Sequence, residues 1–177
     1  MEYSELAVRF NRLKKLDKLA DYDYRLEDFT LLKYRGREKN VTLPNCFESI
    51  AENAFINNKG IRKAVIPDSY TMIGDSAFRG CSNLNSVDLG NIIIIGNSVF
   101  SSCGIWELRL PSSVTSVGKL AFDDNKPLWF IEIQGKETWF EKDSFRACKN
   151  VSELCIHKEL MIGDIGLDMN DIDINYK

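Results

Sequence analysis

The chain has 177 residues, 44% of them apolar and 28% charged, the composition of a folded globular protein, which excludes wholesale disorder. Its net charge of −3 and pI near 5.3 provide no global basic field of the kind that holds nucleic acid. No run reaches the roughly 18 uninterrupted apolar residues of a membrane span, and the opening Met-Glu-Tyr-Ser-Glu lacks the basic and apolar regions of a secretory leader, so a cytoplasmic protein is expected.

In chain order the first pattern is helical. From residue 3 to residue 20, apolar side chains fall at Tyr3, Leu6, Ala7, Phe10, Leu13, Leu16, Leu19 and Ala20, the three-and-four spacing of an amphipathic helix. The other face carries Arg9, Arg12, Lys14, Lys15 and Lys18, mixed with Glu5 and Asp17. Residues 1–40 hold ten Lys/Arg against eight Asp/Glu and are expected to form an N-terminal cap, made of a helix and an opening strand or hairpin.

Residues 41–157 repeat. A small residue followed by Phe recurs at Ala54-Phe55, Ala77-Phe78, Val99-Phe100, Ala121-Phe122 and Ser144-Phe145, so the Phe positions step by 23, 22, 22 and 23. Upstream of each stands an apolar residue, at Ile50, Ile73, Ile95, Val117 and Phe140, followed in the middle three units by Gly74, Gly96 and Gly118, which suit a turn with positive φ. Downstream, apolar residues occupy first, fourth and sixth positions: Ile61, Ala64, Ile66; Leu84, Val87, Leu89; Ile105, Leu108, Leu110; Leu128, Ile131, Ile133; Val151, Leu154, Ile156. The fourth and sixth obey strand alternation, with the third and fifth facing solvent. A unit of this length cannot bury such a face alone, so the units must stack as a solenoid with a parallel ladder of short strands.

Three residues after each Phe stand Asn58, Cys81, Cys103, Asn125 and Cys148. This column lacks the close Cys pairs and partner histidines of a metal site, and five free thiols are expected, with Cys46 and Cys155 the accessible ones. His157, the only histidine, has no oriented partner or nucleophile in the sequence. Asp168 to Asp173 lacks the glycine and terminal glutamate of a calcium loop. No cofactor, metal or catalytic residue is therefore expected. Residues 158–177 hold two Lys/Arg against five Asp/Glu and are expected to close the array in extended structure as an acidic cap or tail.

The segment from Ile66 to Leu89, with its Ile73-Gly74, Ala77-Phe78 and Leu84-x-x-Val87-x-Leu89 elements, resembles the BspA-like leucine-rich repeats, and the resemblance covers residues 41–157. Residues Phe29 to Pro44 resemble the strand, glycine turn and strand that often open such arrays. The resemblance implies a leucine-rich repeat solenoid with an N-terminal helical cap, acting as a curved, non-catalytic binding scaffold of a kind common on secreted or surface proteins. It also implies that the Asn/Cys column hydrogen-bonds the backbone of neighbouring coils.

The strand register places two rows outward, Lys63, Ser86, Glu107, Phe130, Glu153 and Val65, Asp88, Arg109, Glu132, Cys155, and these are expected to form a nearly continuous patch. Within it Arg109 is expected between Asp88 and Glu132. Phe130, beside Trp129 and one coil from Trp106, has the composition of an interface hot spot. Trp106, Glu107, Arg109, Trp129, Phe130 and Glu132 are the candidate contacts for another protein, bound by a monomer without nucleic-acid or membrane contact. The alternative is an acidic inhibitor or effector that mimics phosphate at a nucleic-acid-processing enzyme through Asp164, Asp168, Asp171 and Asp173.

Overall fold

The computed structural model describes residues 3–177; Met1, Glu2 and the side chain of Tyr3, the first apolar position expected of the helix, lie outside the described residues. Helix α1 spans Tyr3–Lys15. Leu6 and Phe10 are buried, and the Phe10 ring meets Tyr24 and Phe47 edge-on at 5.1 and 6.4 Å, so the helix closes the first coil. It stops short of Ala20 because Asp17 adopts φ 54° and the Lys18 amide donates to the Leu13 carbonyl at 3.0 Å, a Schellman-type termination. Leu19 then turns into the core, whereas Leu16, expected on the buried face, is 58% exposed.

A hairpin of β1 (Tyr22–Arg25) and β2 (Thr30–Tyr34) leads into the repeats, and β2 already pairs in parallel with the first of them. Each coil then supplies strands to two ladders. The first holds two-residue strands, β4 (Ser49–Ile50), β6 (Met72–Ile73), β8 (Ile94–Ile95), β10 (Ser116–Val117) and β12 (Trp139–Phe140), which with β1 and β2 form one seven-stranded sheet. The second holds β3 (Asn40–Thr42), β5 (Lys63–Val65), β7 (Ser86–Asp88), β9 (Glu107–Leu110), β11 (Phe130–Ile133), β13 (Glu153–Ile156) and β14 (Asp173–Tyr176). The result is a solenoid of about six turns, with α1 the single α-helix among the described residues. The C-terminal stretch, expected to be extended, forms a 3-10 turn at Met169–Asp171 and a strand only at Asp173–Tyr176, β14, which adds in parallel to β13 with Ile174 beside Leu154.

The core follows the repeat. Phe55, Phe78, Phe100, Phe122 and Phe145 stack nearly face to face, with centroids 4.5, 5.3, 5.4 and 5.1 Å apart, and Tyr34 extends the stack by one ring at 5.2 Å. Four residues of the Asn/Cys column tie successive coils together through the Phe carbonyls, those of Phe55 and Phe78 also accepting from the Asn58 and Cys81 backbone amides. Cys81, Cys103 and Cys148 donate from Sγ to the carbonyls of Phe55, Phe78 and Phe122, and Asn125 donates from Nδ2 to those of Phe100 and Phe122. Asn58 instead accepts from the Gly60 and Ile61 amides. Cys46, expected to be accessible, is fully buried; of the five free thiols only Cys155 reaches the surface in part.

Glycine serves a different purpose from the one expected. Gly74, Gly96 and Gly118 do not adopt positive φ; a Cβ on Gly74 would lie 2.7 Å from the Glu52 amide nitrogen, and one on Gly118 2.7 Å from the Gly96 carbonyl carbon. These residues permit the close approach of successive coils. The left-handed positions lie two residues before and two after each Phe, at Asn53, Ser76, Ser98, Leu120 and Asp143 and at Asn57, Gly80, Ser102, Asp124 and Ala147.

The second ladder is broken once. Strands β3, β5 and β7 form one sheet, and β9, β11, β13 and β14 another, with no pairing between β7 and β9. The break falls where the array loses a residue: Cys103 to Ile105 is a two-residue step, against three from Cys81 to Leu84 and from Asn125 to Leu128. The shortened turn presses Gly104 onto the preceding coil, where a Cβ would meet the Ser82 carbonyl oxygen at 2.7 Å. Val87 is left partly exposed, while the matching Ala64, Leu108, Ile131 and Leu154 are buried. Among the described residues no helix is long and apolar enough to cross a membrane, and no three His, Cys, Asp or Glu side chains cluster to hold a metal.

Candidate protein-binding surface

Strand alternation in β9 and β11 buries Leu108, Leu110, Ile131 and Ile133 and turns the intervening side chains outward. Just before those strands, Trp106 and Trp129 sit at the same position of consecutive coils, joined by a 3.0 Å hydrogen bond from the Trp129 amide to the Trp106 carbonyl. Both are exposed, at 59% and 41%. Phe130 is half-buried, its ring 5.6 Å from that of Trp129, and the Arg109 guanidinium lies over it at 5.1 Å. An aromatic cluster with a cation on its face is the composition of interface anchors.

Arg109 is held in that position from two sides. Its Nη1 meets Glu107 Oε2 at 2.9 Å, and its Nε meets Glu132 Oε2 at 3.3 Å. It does not bridge to Asp88 as expected, because the break between β7 and β9 separates the rows. Glu132 also departs from expectation: it lies on the outward row yet is buried, covered by Lys177, which bonds its other carboxylate oxygen. The Lys177 hydrogen bond, followed by the charges of Lys177 and Arg109, outweighs the opposing effect of burial and lowers the Glu132 carboxyl below the usual carboxylate range. Glu132 therefore braces Arg109 from a buried position. Trp106, Glu107, Arg109, Trp129 and Phe130 remain together on the accessible face.

The expected continuous patch is instead two patches separated by a cleft of about 570 Å³. Asn85, Ser86 and Asp88 line one wall, and Trp106, Glu107 and Arg109 the other. The sequence did signal this cleft, in the short Cys103-Gly104-Ile105 turn. The outer surface of the seven-stranded sheet carries apolar residues that the strand-face reading missed: Met72, Ile94 and Trp139 are 43%, 43% and 69% exposed, each the first residue of its strand. Alternation within Met72-Ile73, Ile94-Ile95 and Trp139-Phe140 was the available signal.

The BspA type leucine-rich repeat region matches in six copies, over residues 34–128 and 90–166. No curated protein sequence matches the chain. Among solved structures, a leucine-rich repeat protein of T. pallidum is similar at 22% identity and TM-score 0.70, over 76% of this chain and 67% of that one. The pneumococcal vaccine antigen PcpA is similar at 17% identity and TM-score 0.70, over 85% of this chain but only 40% of that one. A leucine-rich repeat protein of Bacteroides capillosus is similar at 25% identity and TM-score 0.57, over 64% and 93%. The matched repeats span most of the sequence and coincide with the stacked coils: the chain belongs to the BspA-type leucine-rich repeat family.

Proposed function

We propose that this chain is a non-enzymatic module that binds another protein through its strand face, with Trp106, Trp129 and Phe130 as apolar anchors and Arg109 as the oriented cation. The observation that carries this reading is the pair of exposed tryptophans at the same position of consecutive coils. Solvated rings there add little to folding, yet on burial against a partner each removes a large apolar area from water. Arg109 is already fixed by Glu107 and Glu132, so binding orders few additional rotamers. The acidic-mimic alternative has less support, because Asp164 is paired with Lys142 at 3.4 Å and Asp168 accepts from Asn170 within a local turn.

The test compares the native chain with Trp106→Ala/Trp129→Ala in affinity capture from the source cell, followed by titration of the recovered protein. Both side chains are exposed, so the melting curve should move little. Affinity should fall at least about tenfold, which is about 1.4 kcal/mol. Equal affinity of the two proteins would remove the strand face from consideration.

A further inference from the structure

The N-terminal end of the solenoid carries a second accessible surface of different chemistry. A hollow of about 600 Å³ opens between α1 and the first coil, with Leu43, Pro44 and Pro67 at the coil side and Leu13 and Leu16 at the helix side. A second hollow adjoins it across Arg12 and Leu16, bounded by Val8 and Lys15. Val8 and Leu16 are 69% and 58% exposed and line the same hollow, Leu16 from just past the end of α1. Helix residues with large apolar side chains are normally turned toward the core, and α1 has already filled that need with Leu6 and Phe10.

The electrostatics of these hollows are one-sided. Arg9, Arg12, Lys15 and Lys18 line them, and among the described residues no carboxylate does. Arg9 is partly neutralised by Glu5 at 2.8 Å, but Arg12, Lys15 and Lys18 form no ion pair among the described residues. The strand-face cleft, in contrast, mixes Arg109 with Asp88 and Glu107. In a protein of net charge −3, a rim of four cations, three of them without an ion-pair partner among the described residues, around exposed leucine and valine is a local exception.

We propose that this surface is a second docking site, whose occupant is an acidic segment of a partner protein that lays apolar side chains against Leu16 and Val8 and sets carboxylates against Arg12, Lys15 and Lys18. A concave floor of leucine and proline favours a peptide over a phosphate backbone, which has no use for it, and over a lipid surface, which is too flat to enter it. The charges would speed encounter and set orientation, and the apolar contacts would hold the complex.

The experiment is fluorescence anisotropy of the full chain with a labelled helical peptide in which Leu recurs at three-and-four spacing between Glu residues. Saturable binding is expected. It should weaken at least about tenfold in Arg12→Glu/Lys15→Glu and again in Leu16→Ser, and stay unchanged in Trp106→Ala/Trp129→Ala, which separates this site from the strand face. All the altered side chains are exposed, and circular dichroism melting confirms that each variant folds. The proposal is overturned by absence of saturable peptide binding, or by binding that Leu16→Ser leaves intact. It is equally overturned if phosphatidylserine vesicles or single-stranded DNA bind more tightly than the peptide.

Discussion

Ser144 is fully buried with no partner for its hydroxyl among the described residues, at the position where the other coils place Ala54, Ala77, Val99 and Ala121. A buried unsatisfied hydroxyl costs about 1–3 kcal/mol, and alanine fills the same space without it. Ser144→Ala should therefore stabilise the protein by about 1 kcal/mol in chemical denaturation; an unchanged or lower midpoint would mean that the hydroxyl is satisfied. The thiols make a second prediction at this scale. Burial pushes Cys46, Cys81 and Cys148 up to about 12 and Cys103 higher still, so little thiolate exists near neutral pH, and access is closed besides. Under native conditions a chromogenic disulfide reagent should label Cys155 alone, and denaturant should release the other four. Rapid native labelling of Cys46 would contradict its burial beneath the first coil.

The elements of this fold are too short to be stable alone. Strands of two residues, such as Ile73 with Met72 or Val117 with Ser116, bury one side chain each and gain their order from the coils on either side. The Phe stack runs across all of them. Removing the central ring opens a cavity between two others at 5.3 and 5.4 Å, and Phe100→Ala should cost about 3–5 kcal/mol, measured by urea denaturation. A loss below about 1 kcal/mol would show that the rings do not share one core. The apolar positions of the strands were legible because alternation and a repeated Phe register agreed five times over. The end of α1 was not, because Leu16 keeps the helical spacing and only the left-handed Asp17 turns the chain away.

At the scale of the molecule the solenoid is two stacks on one continuous backing sheet. The seven-stranded ladder runs from the hairpin to Trp139-Phe140 without interruption, whereas the strand face parts between β7 and β9. Each of those strands is paired in the ladder on one side only, while β11 is flanked on both. Hydrogen exchange should reflect this: peptides covering Ser86–Asp88 and Glu107–Leu110 should exchange at least about tenfold faster than those covering Phe130–Ile133. Uniform protection across all three would mean that the ladder closes in solution.

The sequence alone determined the repeat, its register, the inward and outward rows and the family, since all of these derive from apolar residues recurring at a fixed period, and the burial they require leaves one way to stack. Only the tertiary structure decided the surface. Glu132 has the outward position of its neighbours, yet Lys177 folds over it from far along the chain and buries it. Arg109 lost Asp88 and gained Glu107 because one missing residue parted two strands. Glycines that the sequence marks as turns prove to be points where coils touch. Periodicity specifies which side chains face inward because a core averages over many contacts; which exposed groups meet depends on single contacts between coils, and those exist only once the coils are stacked.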